Sequence, residues 1–598
     1  MIEHLKMVRK DTPTSWAAYI ITMCCLFVFS VIAFCYGYLF KDWPQAETRL
    51  SLEQSLQCFT PIFPNRCTDY ILDIGGIPPV KMFSYQLIIF SPLLAMIIIV
   101  GLLFWYHFIR TKERVIHSGL TVGGMDDLLS SAKSDIKFGK FPDVPGLHMF
   151  NGWHLAVDRE TKHFNIIGGI GGGKTILMSR LINSAVLRND KVLIFDQKGD
   201  YTSIIPPNNV NGKDYEPIIL SPTDERSAVW NVAADLVVAQ EATELANRLI
   251  ARSNNENEFF VDSARAILAA CIVKLMATNP NKWTWKDLLA ETRTSQDDLL
   301  ATALKYQCGT HRYLEADFKQ VMSSLSSLES KMAMLNMLAT AWPTYDNRQL
   351  FSIRDWLKDT TKFGTVIIKH DGQFSALSDG WISSLYAIAI NTVTDSKAMS
   401  DSDLRRVWFF LDEWAQLPKI DQFQTFVTVG RSKGVCVVSG LQDAAQVSEK
   451  YGADALKTLM ASVGTTMIVH INHGETALTL ERYFGKTTYS NWSQRPYGGN
   501  GGMQWTEQRV EEAPFKSTEF STELWADKKG VRCLVSGLGQ HLYKVLVPMD
   551  KTFSKSYRVA SLPAEWTKTF VVHGTLKTDE EIEAYIYAVR RREKGNKG

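Results

Sequence analysis

Eight consecutive residues carry the densest chemical signal in the chain. Gly168-Gly169-Ile170-Gly171-Gly172-Gly173-Lys174-Thr175 fits the pattern G-x-x-x-x-G-K-T in full. Glycines at these positions let successive backbone N–H groups turn inward around phosphate oxygens, and a following helix presents its N-terminus to the negative charge. Lys174 is placed to reach the β- and γ-phosphates of ATP, and the Thr175 hydroxyl to ligand Mg²⁺. A purely structural glycine loop is the alternative. The flanks favour the phosphate reading: Phe164–Ile167 is a strand-like run before the loop, and residues 176–185 are helix-like after it.

Hydrolysis needs a carboxylate at the end of a neighbouring buried strand. The run Val407-Trp408-Phe409-Phe410-Leu411-Asp412-Glu413 offers two. Its apolar part buries the strand and delivers Asp412 to the edge, where it can hold Mg²⁺. Glu413 can polarise an attacking water. Two solvated acids capping a strand is the competing reading. Gln442, just past the strand-like stretch 435–439, can sense a γ-phosphate or be a plain loop residue. Arg431, within Gly430-Arg431-Ser432-Lys433-Gly434, can reach a neighbouring subunit's nucleotide or form a surface ion pair. Asp196 can support the site from behind or cap a turn.

The elements that must position these residues follow from periodicity. Lys191–Asp196 is a short, continuous apolar run of the kind expected of a parallel strand buried on both faces. Similar runs occur at residues 365–369, 407–411, 435–439, 466–470 and 532–536. Strands alternating with helical patterns predict an α/β fold with a mostly parallel sheet. Residues 241–358 instead show apolar spacing typical of helices and no convincing strand. The polar stretch 118–140 reads as a stem or linker, 497–502 as a surface loop, and 590–597 as a solvated basic tail.

The first hundred residues predict a membrane anchor. Two uncharged apolar runs, residues 15–40 and 83–109, each exceed the ~20 residues needed to cross a bilayer. A cleaved signal peptide is the alternative for the first, but its length and the second run argue against that. Lys6, Arg9 and Lys10 precede the first run, and Arg110, Lys112 and Arg114 follow the second. Positive flanks place both termini in the cytoplasm and the loop 41–82 outside. Cys58 and Cys67 in that loop can be a disulfide or two free thiols. The nine cysteines form no C-x-x-C pair, which argues against a structural metal, and the net charge of +2 neither marks nor excludes a nucleic-acid binder.

Together, the two N-terminal spans, the G-G-I-G-G-G-K-T loop, Asp196-Gln197-Lys198-Gly199-Asp200, Leu220-Ser221-Pro222 before Trp230-Asn231, Phe409–Ala415 and Gly430–Gln442 resemble the TraD/TraG-type coupling proteins of conjugative type IV secretion systems. The resemblance extends over nearly the whole chain. It implies a RecA-like P-loop nucleotide-binding domain with an inserted all-α domain, preceded by two transmembrane helices, in a bacterial inner membrane. The implied layout is an anchor at 1–117, a nucleotide-binding domain at 118–240 and 359–575, an all-α domain at 241–358, and a C-terminal helix and tail at 576–598.

The resemblance further implies a homo-hexameric ATPase. It would recruit single-stranded DNA with its relaxase, and relaxosome proteins, to the secretion channel and drive transfer with ATP. Its nucleotide residues carry over to Lys174, Thr175, Asp412, Glu413 and Gln442, and also to Arg431. The short tail beyond the core departs from members with a long acidic extension, which shifts the expected reading of substrate to the helical domain. A receptor for protein effectors without a DNA role, and a nucleotide-switched membrane scaffold, are the alternative functions.

Overall fold

The computed structural model describes residues 115–568, apart from 251–256, 308, 316–317, 346–347, 360–363, 421, 453–454, 498–501 and 550–554, together with residues 98, 99 and 101. Two units are distinguished. The larger comprises residues 116–489 and 509–598, the smaller residues 1–115 and 490–508. In the smaller unit, segments of the strands Thr487–Tyr497 and Gly502–Glu512 pair with each other. The expected spans at 15–40 and 83–109, the loop with Cys58 and Cys67, and the tail 576–598 lie outside the described residues, save for 98, 99 and 101. Among the described residues no helix is long and apolar enough to cross a membrane.

The larger unit is built on one sheet. Its principal strands are β1 (Thr121–Gly123), β2 (Phe164–Ile167), β3 (Lys191–Asp196), β4 (Ile218–Leu220), β5 (Gly364–Lys369), β6 (Val407–Leu411), β7 (Val435–Leu441), β8 (Thr465–Ile468), β9 (Gly530–Ser536) and β10 (His541–Pro548). They lie in the order β1-β10-β9-β8-β2-β7-β6-β3-β5-β4, and Ala526–Asp527 adds to β9. From β8 to β4 every pairing is parallel, whereas β9 joins β8 and β10 antiparallel. The sheet is therefore mixed, with a parallel part that runs from β8 to the edge strand β4.

Side-chain alternation explains why the central strands read as unbroken apolar runs. Leu193 and Phe195 of β3, Val407, Phe409 and Leu411 of β6, and Val435 and Val437 of β7 join the core on one face. Val192 and Ile194, Trp408 and Phe410, and Cys436 and Val438 point to the other. The register sets Phe409 beside both Leu193 and Val437, so each layer is continuous across strands. That second face is covered by the helix Lys174–Leu187 through Leu177, Met178, Leu181 and Ile182, among others.

Residues 118–140 are not a linker. They form β1 and the helix Met125–Lys137, whose Leu128 and Ala132 are buried. The core-facing pair is four residues apart, which is one helical stripe, but it is too sparse for the sequence pattern to announce. The Asp127 carboxylate accepts the Gly124 N–H at 2.8 Å and starts the helix.

Between β4 and β5 lie the helices Val232–Asp235, Ala239–Leu249, Glu258–Thr278, Trp285–Thr292, Gln296–Tyr306, Phe318–Ala341 and Ile353–Lys358. The region also contains a short parallel pairing of Val229–Trp230 with Leu350–Phe351, which the helical pattern concealed. Trp230 packs against Trp285 and Trp381, with ring centroids 5.4 and 6.4 Å apart, and Trp342 meets Trp381 at 5.5 Å. These indoles tie the helices to the long helix Ser375–Thr394.

A buried carboxylate closes the joint. Asp235 accepts the Trp230 indole N–H at 2.7 Å, the Ser352 hydroxyl at 2.6 Å, and the backbone N–H groups of Ile353 and Arg354. It thereby caps the last helix of the region and anchors its return to the sheet.

Candidate nucleotide site

The glycine loop leaves the carboxyl end of β2, the edge of a parallel sheet where ligands are ordinarily held. Its shape is set by close approach. The Gly168 N–H donates to the Leu441 carbonyl at 3.0 Å, and the Gly169 N–H to the His470 carbonyl at 2.8 Å. A Cβ at Gly172 would lie 2.7 Å from that His470 oxygen, and one at Gly173 would lie 2.6 Å from the Val531 side chain. Gly171 and Gly173 have φ of +73° and +98°. Ile170, at the loop's tip, is 85% exposed. Lys174 and Thr175 then open a 14-residue helix, whose first-turn N–H groups face the loop.

Asp412 and Glu413 emerge from β6, which is separated from β2 by β7. Both are buried, at 4% and 3% exposure. The Lys174 ammonium donates to Glu413 Oε2 at 2.8 Å and to the Asp412 carbonyl at 2.7 Å, and lies 3.8 Å from Asp412 Oδ1. Burial pushes the Glu413 carboxyl above its ordinary range, and Lys174 opposes the rise. Trp414 fixes the exit of this strand by stacking on Phe423 and Tyr451, with centroids 5.1 and 4.7 Å apart.

Gln442 reaches the site through its backbone: its N–H donates to Glu413 Oε1 at 3.3 Å. Asp196 accepts the Gly199 and Thr202 backbone N–H groups, each at 2.9 Å, and the Thr202 hydroxyl at 2.8 Å. It is the cap of the short helix Asp200–Ile204 rather than a direct member of the cluster. Arg431 is not brought to the other residues. It is exposed in the turn before β7, whereas the loop lies at the far end of that seven-residue strand, roughly 20 Å away at ~3.3 Å per residue.

Two contributors had no motif to announce them. The His470 carbonyl braces the glycine loop, and the Tyr201 hydroxyl donates to Asp412 Oδ1 at 2.8 Å. For Tyr201 the only signal is its place five residues beyond Asp196, after a Gly-Asp turn.

The fit to a nucleotide is physical. A cradle that excludes Cβ atoms, a helix N-terminus, one lysine and two carboxylates converge on one edge. Lys174 would meet the terminal phosphates, the oxygens of Thr175 and Asp412 suit Mg²⁺, and the Glu413 carboxylate lies beside them.

Comparison with known proteins agrees with this geometry. Residues 148–512, more than half of the chain, match the family described as type IV secretion-system coupling protein DNA-binding domain. Over 338 residues the chain is 28% identical to the coupling protein TraD of Escherichia coli (strain K12), covering 56% of this chain and 43% of that protein. The chain thus spans less than half the length of the curated relative it matches. Among solved structures it resembles the bacterial conjugative coupling protein TrwBdeltaN70 in its unbound monoclinic form, with TM-score 0.58 and 21% identity over 76% of this chain and 99% of that one. It also resembles plasmid coupling protein TrwB in complex with ADP and Mg²⁺, with TM-score 0.56 and 21% identity over 76% and 98% of the two chains. These likenesses establish a shared α/β fold. By the match across residues 148–512, the chain belongs to the family of type IV secretion-system coupling proteins.

Proposed function

We propose that this protein is a membrane-anchored coupling ATPase of a conjugative type IV secretion system. It receives relaxase-bound single-stranded DNA and drives its transfer by hydrolysing ATP, as a homo-hexamer in a bacterial inner membrane. The observation that carries the reading is the buried cluster of Lys174, Asp412 and Glu413 at the mouth of the glycine loop. It sits within the stretch that matches a DNA-binding coupling domain. The solved TrwB complexes with ADP and Mg²⁺ and with an ATP analogue support nucleotide use by the same fold. The apolar runs at 15–40 and 83–109 support the anchor.

ATP with Mg²⁺ supplies the reactive phosphoanhydride and the charge that offsets its oxygens. Lys174 holds the terminal phosphates by its ammonium, Thr175 and Asp412 furnish oxygens to the cation, and Glu413 orients and deprotonates water. Burial makes the Glu413 carboxylate a stronger base than an exposed one. Gln442, whose backbone N–H meets Glu413, reports the state of the γ-phosphate through its side chain in this reading. Arg431, remote from its own loop, acts on the neighbouring subunit.

The test is the ATPase rate of the full chain with and without single-stranded DNA, beside Lys174→Ala and Glu413→Gln. The reading expects a rate that DNA raises, that added salt lowers in its DNA response, and that both substitutions abolish. Turnover indifferent to both substitutions would overturn it.

A further inference from the structure

Tyr201 is completely buried, and its phenol has two polar neighbours. It donates to Asp412 Oδ1 at 2.8 Å, and the Thr175 side chain lies beside it. Those two residues come from different elements, one from the exit of β6 and one from the helix that begins at Lys174. They are also the two side chains whose oxygens suit a divalent cation. A third element, the short helix Asp200–Ile204, therefore holds the Asp412 carboxylate through one hydroxyl, with Thr175 alongside.

The linking element is itself held. Asp196, fully buried at the end of β3, takes three hydrogen bonds from Gly199 and Thr202 and so fixes the turn that carries Tyr201 inward. Gly199 has φ of +79°, which permits the sharp entry into the helix. The ring belongs to the apolar core of the face bearing the loop helix, which also holds Ile194, Ile205 and Phe410. In that apolar packing the phenol's hydroxyl is satisfied by the Asp412 carboxylate.

We propose that Tyr201 is a positioning residue for the divalent cation of the nucleotide site. Its hydroxyl fixes the rotation of the Asp412 carboxylate, so that this carboxylate presents an oxygen to the same ion as the neighbouring Thr175 hydroxyl. This rests on the nucleotide reading of the glycine loop, and it adds an outer partner of the kind that commonly orients metal ligands.

The test is binding rather than turnover. Affinity of the full chain for a fluorescent ATP analogue is measured across a Mg²⁺ titration and in EDTA, for wild type, Tyr201→Phe, Asp412→Asn and the double variant. Tyr201→Phe keeps the ring and should need about tenfold more Mg²⁺ for half-maximal tightening, with affinity in EDTA unchanged. Asp412→Asn should flatten the Mg²⁺ response, and adding Tyr201→Phe to it should change nothing further, because both act through one ligand. An unchanged Mg²⁺ requirement in Tyr201→Phe, whatever its melting temperature, overturns the role of Tyr201 and leaves the nucleotide reading intact. Failure of wild type to bind the analogue with or without Mg²⁺ overturns the nucleotide reading and this inference together.

Discussion

Lys174 Nζ donates to Glu413 Oε2 at 2.8 Å, and both side chains are buried to within a few per cent. The ammonium proposed for phosphate and the carboxylate proposed for water thus neutralise each other. A phosphate arriving at the loop competes with Glu413 for the same ammonium, which couples nucleotide binding to release of the base. Removing one member of such a pair strands the other. Lys174→Ala should therefore lower stability by about 3–5 kcal/mol, read by urea unfolding. Lys174→Ala with Glu413→Gln should recover part of that loss, since the Glu413 charge goes with its partner and only Asp412 is left without the ammonium. Equal stability of the single and double variants would show that the pair is not coupled.

Glu413→Gln alone should separate binding from chemistry. The amide keeps an oxygen for the Lys174 ammonium but cannot take a proton. Nucleotide affinity should stay near the wild-type value while turnover falls by about 10²–10⁴-fold. Loss of affinity in step with turnover would instead assign Glu413 to holding the loop.

The glycines of the loop differ in what they tolerate. At Gly173 a Cβ would press into Val531 at 2.6 Å with φ at +98°, so Gly173→Ala must displace the first turn of the helix. At Gly171 nothing lies within 4 Å, so Gly171→Ala meets only the backbone cost of φ at +73°, about 1 kcal/mol. Isothermal titration with ATP and Mg²⁺ should show Gly173→Ala without measurable binding and Gly171→Ala weakened by about tenfold at most. The reverse ranking would show that phosphate is not held by the end of the loop nearest the helix.

The glycine loop between a strand and a helix, the buried β6 carboxylates and the parallel core were legible because each obeys a local rule. Phosphate loops need glycines at fixed spacing, and strands buried on both faces need continuous apolar runs such as Val407–Leu411. Tyr201 was not legible, because its partners Asp412 and Thr175 are 211 and 26 positions away and no periodicity marks it. Leu128 and Ala132 gave too little apolar signal to reveal a helix in the stretch 118–140. The strands Thr487–Tyr497 and Gly502–Glu512 contain mixed polar residues and glycine, and were hidden for the same reason.

Asp235 gives the joint beneath the helical region a pH dependence. Its burial raises the carboxyl from 3.8 to about 6, against the pull of four hydrogen-bond donors. The folded protein therefore binds a proton more tightly than the unfolded chain, and the stability tied to this group is full below about pH 4 and lost as pH rises to about 6. A rise of about two units corresponds to about 3 kcal/mol. The stability difference between wild type and the non-titrating Asp235→Asn should fall by about that amount between pH 4 and 6 and stay flat above. A difference that is constant across the window would show that Asp235 folds in with its ordinary affinity for protons.

Arg431 yields the sharpest test of assembly, because its own loop lies at the other end of β7. If it acts on a neighbour, Arg431→Ala should keep nucleotide affinity and the monomer's fold while turnover falls by about 10³-fold. Lys174→Ala is defective in the opposite half of the site. A mixed assembly of the two contains interfaces where an intact loop, from the Arg431→Ala subunit, faces an intact arginine from the Lys174→Ala subunit. Mixing two nearly inactive preparations should therefore restore a fraction of the wild-type rate. Mixing Lys174→Ala with Glu413→Gln should restore none, since those residues share one subunit's cluster and every site remains broken. Recovery in both mixtures would point to subunit exchange artefacts rather than to an arginine acting in trans. Recovery in neither, with Arg431→Ala fully active alone, would return Arg431 to the role of a surface residue.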